Sequence, residues 1–229
     1  MTARPRIVVL SAPSGGGKTT IARAAREHYP DRFGFSVSAT TRPPRPDERA
    51  GVDYHFQKRT QFLEGVGAGK FLEYAEYVGE LYGTLKDEVE KVLKSGKHVL
   101  LDIEVEGARQ VRDQYPYPGS VSIFILPSDP RVLLERLHQR KSESIEQIRW
   151  RLDRAEYELQ QSTLFDRWIR NDDLDRAVAE VVRIADEARG AGGGGRAREK
   201  KDFEWITNYG RGLQAEAQRL YDELHQQKG

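Results

Sequence analysis

Residues 7–20 read IVVLSAPSGGGKTT, an apolar β-branched run that breaks into a glycine-rich turn and continues into helix-forming residues. In such a turn the backbone N–H groups converge on phosphate oxygens, because glycine has no Cβ to obstruct them. Lys18 adds a positive charge, and Thr19 places a hydroxyl for Mg²⁺ at the start of a helix predicted to end near Tyr29. Although Ala12 replaces the first glycine of the pattern G-x-x-x-x-G-K-[ST], the stretch predicts a nucleoside triphosphate site rather than an incidental glycine-rich connection. The predicted phosphate-binding residues are Ala12, Pro13, Ser14, Gly15, Gly16, Gly17, Lys18 and Thr19.

The composition of the 229 residues is that of an ordinary globular protein, long enough for one α/β domain or at most two. Lys and Arg number 37 against 36 Asp and Glu, and the formal net charge of +1 gives no general case for binding nucleic acid or an acidic membrane. There is no cysteine, and the five histidines lie without ligand spacing, so a thiolate or histidine metal site is not expected. No apolar run reaches the length of a signal peptide or a membrane span, so we expect a cytoplasmic protein without membrane or nucleic-acid partners.

Strand and helix patterns alternate along the first 189 residues, which predicts a parallel sheet covered by helices. Apolar strands are predicted at residues 7–10, 34–38, 99–103, 121–126 and 168–170, and helices at 87–94 and 174–189. Three prolines make residues 41–46 an exposed basic loop, and the pattern of residues 53–82 predicts a small antiparallel excursion from the main sheet. Residues 131–154 are rich in arginine, with Arg136 and Arg140 one helical turn apart on one face.

A glycine-rich linker at residues 190–195 separates this pattern from a C-terminal extension, residues 196–229. The extension carries apolar residues at a helical 3-4 spacing: Phe203, Ile206, Leu213, Ala217, Leu220 and Leu224. Gly210 and Gly212 predict two helical pieces with a bend between them, each too short to persist alone in water. We expect them to dock on the core, on another subunit or on an unknown protein, with a loosely ordered appendage as the alternative. Since the chemical motifs lie upstream, truncation after Arg189 is expected to leave activity within a few-fold.

Six blocks in a fixed order carry a family resemblance. They are SAPSGGGKTT (11–20), FGFSVSATTRPPR (33–45), GVDYHF (51–56), FLEYAEYVGELYGT (71–84), LLDIEVEGA (100–108) and RNDDL (170–174). Together they resemble guanylate kinase over residues 6–188. The resemblance implies an α/β fold of P-loop NTPase type, with a small mixed GMP-binding insertion, and the reaction ATP + GMP ⇌ ADP + GDP with Mg²⁺. It also implies a kinase domain at residues 1–189, made of a core (1–35, 87–127 and 155–189), a GMP-binding region (36–86) and a helical lid (128–154).

The resemblance assigns the guanine base to Ser38, Glu73 and Thr84. Glu73 can accept hydrogen bonds from guanine N1–H and the 2-amino group, which adenine lacks, and Ser38 can donate to O6. A site built on such partners rejects an analogue that leaves them unpaired, by about 10⁴-fold in favourable cases. Glu104, where many relatives carry Asp, is implied as a further contact to the base. The GMP phosphate is assigned to two guanidinium groups and two phenols, which suit a dianion: Arg42, Arg45, Tyr54 and Tyr82.

Catalysis in the family requires positioning and charge neutralisation, and no general base, because the attacking group is already a phosphate oxygen. The resemblance assigns this role to Lys18 and to three lid arginines, Arg136, Arg140 and Arg151. Thr19 and Asp102 are implied on the metal side, the carboxylate acting through water. Asn171 and Asp172 match a motif near the adenine of ATP, and a strand-to-helix cap explains them almost as well.

Other classes of protein share parts of this pattern. Guanylate kinase-like scaffolding modules bind peptides without turnover, but they typically have a degraded phosphate loop, whereas Lys18 and Thr19 are intact. A kinase for another phosphorylated acceptor, such as ribose 1,5-bisphosphate, keeps the ATP site and lacks the guanine contacts, which are present here as Ser38, Glu73 and Thr84. A nucleic-acid binder has little support from the near-neutral charge.

Overall fold

The computed structural model has a parallel β-sheet covered by helices, which confirms the predicted α/β fold. It describes residues 4–77, 79–138, 145–187 and 200–226. The strands in this part of the chain are β1 (Ile7–Ser11), β2 (Phe33–Gly34), β3 (Ser38–Thr40), β4 (His55–Phe56), β5 (Phe71–Tyr77), β6 (Glu80–Leu85), β7 (His98–Asp102), β8 (Ser120–Leu126) and β9 (Arg167–Arg170). The helices are α1 (Lys18–His28), α2 (Arg59–Gly67), α3 (Lys86–Lys94), α4 (Val105–Gln114), α5 (Pro130–His138), α6 (Ile145–Gln161), α7 (Leu174–Asp186) and α8 (Lys200–Gln226).

The central sheet has the strand order β2-β7-β1-β8-β9, with every neighbouring pair parallel. Side chains of β1 alternate between two buried layers, because successive residues of a strand point to opposite faces. Ile7 and Val9 share a cluster with α3 and α4, whereas Val8 and Leu10 share one with α1 and α7. Both faces of the sheet are therefore covered, and the carboxyl ends of its strands meet at one edge, where ligands bind in open α/β sheets.

A second sheet, formed in the chain between β2 and α3, has the strand order β4-β3-β6-β5. Its β3–β4 pair is parallel and its other pairs are antiparallel, so the insertion is mixed. The single strand predicted at residues 34–38 is wrong, because Phe33–Gly34 pairs with β7 while Ser38–Thr40 pairs with β6, and the chain changes sheets between them. The sequence analysis also missed α2, whose two buried residues, Phe62 and Gly65, are too few to give a helical period.

The C-terminal extension forms one continuous helix, α8, so the bend predicted at Gly210 and Gly212 is wrong. Four residues of α8 are buried in a cluster that includes residues of α5 and α6: Ile206, Tyr209, Leu213 and Ala217. Burial of a side chain such as Ile or Leu contributes roughly 1.5–3 kcal/mol, which outweighs the cost of about 1 kcal/mol for each glycine in the helix. Tyr209 fills the turn of the stripe that the sequence pattern had left to Gly210.

Two residues of the predicted stripe, Phe203 and Leu224, have side chains outside the described part of the structure. The linker, residues 190–195, also lies outside it. No helix of the described residues combines the length and the apolarity needed to cross a membrane.

Candidate active site

The phosphate loop connects β1 to α1 at the carboxyl edge of the central sheet. Gly15 and Gly17 have φ values of 82° and 95°, a left-handed conformation that residues with a Cβ rarely adopt. A Cβ on Gly16 would lie 2.7 Å from the Cβ of Ala12, so the tightness of the turn requires this glycine as well. Gly17 precedes α1 without a side-chain cap, which leaves the N–H groups at the start of the helix accessible to an anion.

Lys18 faces a group of charged side chains at the end of β7. Its ammonium group donates to the Glu104 carboxylate, and Nη2 of Arg154, on α6, lies 3.4 Å from the other oxygen of that carboxylate. Arg154 Nε also lies 3.3 Å from Oε1 of Glu158, whose side chain is almost completely buried. Two cations and two carboxyl groups thus form one network between the phosphate loop and α6.

The two carboxyl groups of this network have opposite pKa shifts. Burial raises the pKa of Glu158, and the adjacent Glu104 raises it further, so Glu158 favours its protonated form. Burial acts on Glu104 too, but its hydrogen bond with Glu158 and the charges of Lys18 and Arg154 outweigh burial and lower its pKa. Glu104 is therefore the group that carries the negative charge facing the two cations.

Three polar side chains lie in one row across the second sheet. Ser38 on β3 pairs with Thr84 on β6, and Thr84 pairs in turn with Glu73 on β5. Paired residues point to the same face, and neighbouring strands are about 4.8 Å apart, so the row extends over roughly 10 Å. A purine edge with its hydrogen-bonding partners fits a row of this length. The structure therefore brings together the three residues to which the resemblance assigned the guanine.

Glu73 reaches this row through a β-bulge. The register of β5 against β6 shifts between Phe71 and Glu73, so that Glu73 rather than Leu72 lies opposite Thr84. Thr84 Oγ1 donates to Glu73 Oε1 at 2.5 Å. Glu73 is 6% exposed, and burial raises its pKa against the effect of its hydrogen bonds with Thr84. A Cβ on Gly107 would lie 2.8 Å from Glu73 Oε2, so this glycine, which the sequence analysis did not single out, makes room for the carboxylate.

Arg42, assigned to the GMP phosphate, forms a bidentate ion pair with Glu48 at distances of 2.9 Å (Nη1–Oε2) and 2.8 Å (Nη2–Oε1). Its guanidinium lies 5.5 Å from the centre of the Tyr54 ring, which contacts the Tyr82 ring edge to face. Arg45 is exposed, and its backbone N–H donates to Glu48 Oε2 at 2.7 Å. The hydrogen bonds from Arg42 and Arg45 lower the pKa of Glu48 to about 2. Glu48, which the sequence analysis missed, thus orients the Arg42 fork.

Two of the three predicted lid arginines contact the phosphate loop. Nη1 of Arg136, on α5, donates to the carbonyl of Gly15 at 3.3 Å, and Nη2 of Arg151, on α6, donates to Ser14 Oγ at 3.1 Å. Arg140 lies outside the described residues, and its role stays a prediction.

The sequence analysis did not assign Arg154 and Glu158 to the site, although the pattern contains a signal. Glu158 stands in α6 among Leu152, Ala155 and Leu159, which are all buried, so a charged residue occupies a buried stripe of the helix. Lys, Glu, Arg and Asp are almost never fully buried without a partner. A buried position for Glu158 therefore predicts a nearby cation, which the structure supplies as Arg154.

Asn171 and Asp172 follow β9 beside the phosphate loop. The Asn171 amide donates to the carbonyl of Gly16 at 2.8 Å, and the Asp172 carboxylate accepts from the Ser128 N–H at 2.7 Å. A Cβ on Gly17 would lie 2.1 Å from Asn171 Nδ2, so the loop and this amide are tightly packed. These bonds fix the loop and the start of the lid, and contact with adenine stays a prediction.

All of these elements open on one cleft of about 1240 Å³. Its lining includes the following predicted site residues: Pro13, Ser14, Gly15, Gly17, Lys18, Thr19, Ser38, Tyr54, Glu73, Tyr82, Asp102, Glu104, Arg136, Arg151, Asn171 and Asp172. Thr84 is buried and supports Glu73 from within the sheet. Among the described residues, Arg42 and Arg45 do not belong to the lining, so they lie beside the cleft rather than on its walls.

Thr19 and Asp102 fit a Mg²⁺ ion that is held mainly by a nucleotide. Both line the cleft, Thr19 in the first turn of α1 and Asp102 at the end of β7. In the part of the chain that the structure describes, no group of three His, Asp or Glu side chains is placed to hold a metal by itself. Mg²⁺ takes octahedral oxygen coordination, so phosphate oxygens and water must supply most of its ligands here.

Comparison with known proteins identifies the family. Residues 4–188 match the family model described as guanylate kinase. The chain is 44% identical over 181 residues to a guanylate kinase of Synechococcus sp. (strain JA-3-3Ab), covering 79% of this chain and 82% of the relative, and 46% identical over 181 residues to one of Thermus thermophilus, covering 79% and 80%. A crystal structure of guanylate kinase from Anaplasma phagocytophilum shares 29% identity and a TM-score of 0.63, over 82% of this chain and 90% of that one. The chain therefore belongs to the guanylate kinase family.

Proposed function

We propose that the cleft transfers the γ-phosphoryl group of ATP to GMP, giving ADP and GDP. One observation carries the proposal: Ser38 and Glu73, the ends of a row of guanine length, line the same cleft as Lys18 and Thr19 of the phosphate loop. A phosphate loop alone supports many phosphotransferases, whereas the row selects the acceptor base. Neither a peptide-binding module nor a sugar-phosphate kinase requires a buried carboxylate at that position.

On the donor side, the phosphates of ATP bind the loop N–H groups and Lys18. Lys18 is ion-paired with Glu104, so ATP binding exchanges a carboxylate for phosphate oxygens at the same ammonium group. Thr19 and Asp102 hold Mg²⁺ together with the nucleotide, and the bound ion supplies positive charge beside the phosphate oxygens. The contacts of Glu104 with Lys18 and Arg154 favour a role on the phosphate side over the base contact that the resemblance implies.

On the acceptor side, the guanine lies along the polar row. Glu73 accepts from N1–H and the 2-amino group, and Ser38 donates to O6; a hydrogen bond to a charged group is worth about 1.5–3 kcal/mol. AMP offers neither donor and leaves a buried carboxylate without partners, which is costly. The GMP phosphate binds the side chains beside and on the wall of the cleft: Arg42, Arg45, Tyr54 and Tyr82.

Transfer itself needs no general base. An oxygen of the GMP phosphate forms a bond to the γ-phosphorus as the bond from that phosphorus to the β–γ bridging oxygen breaks, and ADP leaves with the electron pair. Lys18, Arg136 and Arg151 stabilise the charge on the transferring group. Arg140 is proposed for the same task from the sequence alone.

The test is ADP release from ATP and Mg²⁺ with a panel of nucleoside monophosphates. GMP, and more weakly dGMP, are expected to support turnover, whereas AMP, CMP and UMP are not. Equal turnover of AMP contradicts the assignment of Glu73, and the absence of turnover with GMP refutes the proposal. ADP release that is independent of any acceptor would indicate an ATPase instead.

A further inference from the structure

Helix α5 lies between the phosphate loop and the C-terminal helix α8. On the loop side, a Cβ on Gly15 would lie 3.2 Å from Arg136 Cβ and 3.6 Å from Leu133 Cδ1, and Arg136 donates to the carbonyl of Gly15. On another face α5 packs against α8, and Leu133 and Leu137 share a buried cluster with residues of α8. The position of Arg136 on the loop therefore depends on what supports α5 from behind.

Helix α8 approaches α5 closely at a glycine. A Cβ on Gly212 would lie 2.9 Å from Pro130 Cγ, which is shorter than real Cβ contacts. The proline ring is closed onto the backbone of α5, so it cannot turn aside as a flexible side chain would. By contrast, a Cβ on Gly210 would meet no described atom within 4 Å. Gly212 thus has a packing reason that Gly210 lacks.

Helix α8 also contacts the core beside the nucleotide site. The guanidinium of Arg170, the last residue of β9, lies 5.2 Å from the centre of the Trp205 ring. One turn further along α8, Tyr209 is 3% exposed and belongs to the cluster that contains Leu133 and Leu137. The same helix is therefore attached to β9, directly before Asn171, and to the lid helix α5.

The electrostatic surroundings of Tyr209 agree with this placement. Burial raises the pKa of the Tyr209 phenol, and the charges of Asp129 and Asp172 raise it further, whereas the charge of Arg136 lowers it. Tyr209 thus lies close to charged groups of both the lid and the end of β9. Its hydroxyl is buried without a hydrogen-bond partner among the described residues.

We infer that α8 is a positioning element for ATP binding, which holds α5, and with it Arg136, on the phosphate loop before the nucleotide arrives. The inference rests on the proposed function, in which Arg136 contacts the phosphates of ATP. A lid helix that is already seated loses less conformational freedom on binding, so ATP binds more tightly and in better alignment. The contacts of α8 replace the expectation, drawn from the sequence, that removal of the extension leaves activity within a few-fold.

Two glycine substitutions in the full chain provide a matched test. Gly210→Ala and Gly212→Ala raise the helix propensity of α8 by similar amounts, but only Gly212→Ala forces α8 away from Pro130. We expect Gly212→Ala to lower kcat/KM for ATP by about tenfold, because small misplacements of positioning groups are amplified in the rate. The KM for GMP is expected to stay unchanged, and Gly210→Ala is expected to behave as the wild type.

A second substitution and a second readout separate positioning from general damage. Pro130→Ala removes the Cγ that the new Cβ would meet, so the double variant Gly212→Ala/Pro130→Ala is expected to recover the ATP kinetics of the wild type. In hydrogen exchange, the amides of residues 130–138 are expected to exchange faster in Gly212→Ala than in Gly210→Ala.

The outcomes distinguish this inference from the proposed function. A wild-type chain without GMP-dependent ADP release refutes the proposed function, and the inference with it. An active wild type with identical ATP kinetics in both glycine variants, or a Gly212→Ala that weakens ATP and GMP alike, overturns the inference alone. If Gly212→Ala does not fold, Trp205→Leu, which removes the ring from Arg170, must lower kcat/KM for ATP selectively, and unchanged kinetics in that variant overturn the inference.

Discussion

Replacement of Glu73 by glutamine tests base recognition and fold stability in one variant. The substitution keeps the shape of the side chain and removes its charge. Glu73 Oε1 accepts from Thr84 Oγ1 at 2.5 Å, and the oxygen of glutamine can take the same bond. The amide nitrogen then takes the place of Oε2 near Gly107 and presents donors where guanine requires an acceptor.

The size of the kinetic effect follows from the lost acceptor. Removal of one hydrogen bond to a charged group costs about 1.5–3 kcal/mol, which corresponds to a factor of roughly 10 to 150 in affinity. We expect the KM for GMP to rise by a factor in this range. The KM for ATP is expected to stay unchanged, because the phosphate loop and Lys18 are not altered.

The same substitution is expected to stabilise the fold at neutral pH. Burial raises the pKa of Glu73 in the folded chain, so the folded state binds this proton more tightly than the unfolded state does. The stability of the wild type therefore falls as the pH rises above the carboxyl pKa of the unfolded chain, about 4.3. Glutamine lacks this loss, so the Tm of the variant should exceed that of the wild type by an amount that grows from about pH 5 toward neutrality.

Initial-rate kinetics and thermal unfolding check both expectations. Glu76→Gln is the matched control, because Glu76 lies on the same strand and forms an exposed ion pair with Arg59. It should leave the KM for GMP unchanged. An unchanged KM for GMP in Glu73→Gln, or a Tm below that of the wild type at neutral pH, would refute the assignment of Glu73.

Three further substitutions test single features of the site. Gly107→Ala would place a Cβ 2.8 Å from Glu73 Oε2 and should raise the KM for GMP about tenfold without changing the KM for ATP; equal effects on both substrates contradict this. Lys18→Ala should lower kcat at least about 10²-fold while circular dichroism shows a folded chain, and a change below about tenfold would make Lys18 a mere surface charge. Glu48→Gln frees the Arg42 fork and should raise the KM for GMP; since the pKa of Glu48 is lowered to about 2, the ratio of variant to wild-type KM should stay constant from pH 6 to pH 8, and a ratio that varies over that range contradicts the ionised pair.

The central sheet and the phosphate loop could be predicted because their signals are local. The apolar run of β1 and the glycines that follow it are contiguous in the chain, and Gly15 and Gly17 have the positive φ values that such a turn requires. The strand predicted at residues 34–38 failed because the chain leaves one sheet for another between Gly34 and Ser38. That exchange depends on pairing with β6, which no local pattern shows.

The guanine row could be named only through the family resemblance. Ser38 and Thr84 lie far apart in the chain, and Glu73 joins them through a β-bulge that the alternation of side chains does not predict. The partners of the site residues were missed for the same reason. Glu48 and Glu158 act through pairing with arginines, and a charged residue in a sequence does not indicate which cation it meets.

The C-terminal helix shows how packing overrides propensity. Two glycines predicted a bend, but α8 continues through both, because Gly212 permits close contact with Pro130 and Tyr209 completes the buried stripe. The apolar spacing alone indicated that the extension needs a partner. Only the structure shows that residues of α5 and α6 share its buried cluster.

The most direct test of the account compares kcat/KM for GMP, IMP and AMP with ATP held constant. IMP keeps N1–H and O6 but lacks the 2-amino group, so it removes one donor to Glu73, whereas AMP lacks both donors. We expect kcat/KM to fall at least about tenfold from GMP to IMP and to be undetectable for AMP, because each hydrogen bond to the buried carboxylate is worth about 1.5–3 kcal/mol. In Glu73→Gln the ratio between GMP and IMP should narrow. Use of IMP or AMP as efficiently as GMP by the wild type would contradict recognition of guanine by the row of Ser38, Thr84 and Glu73.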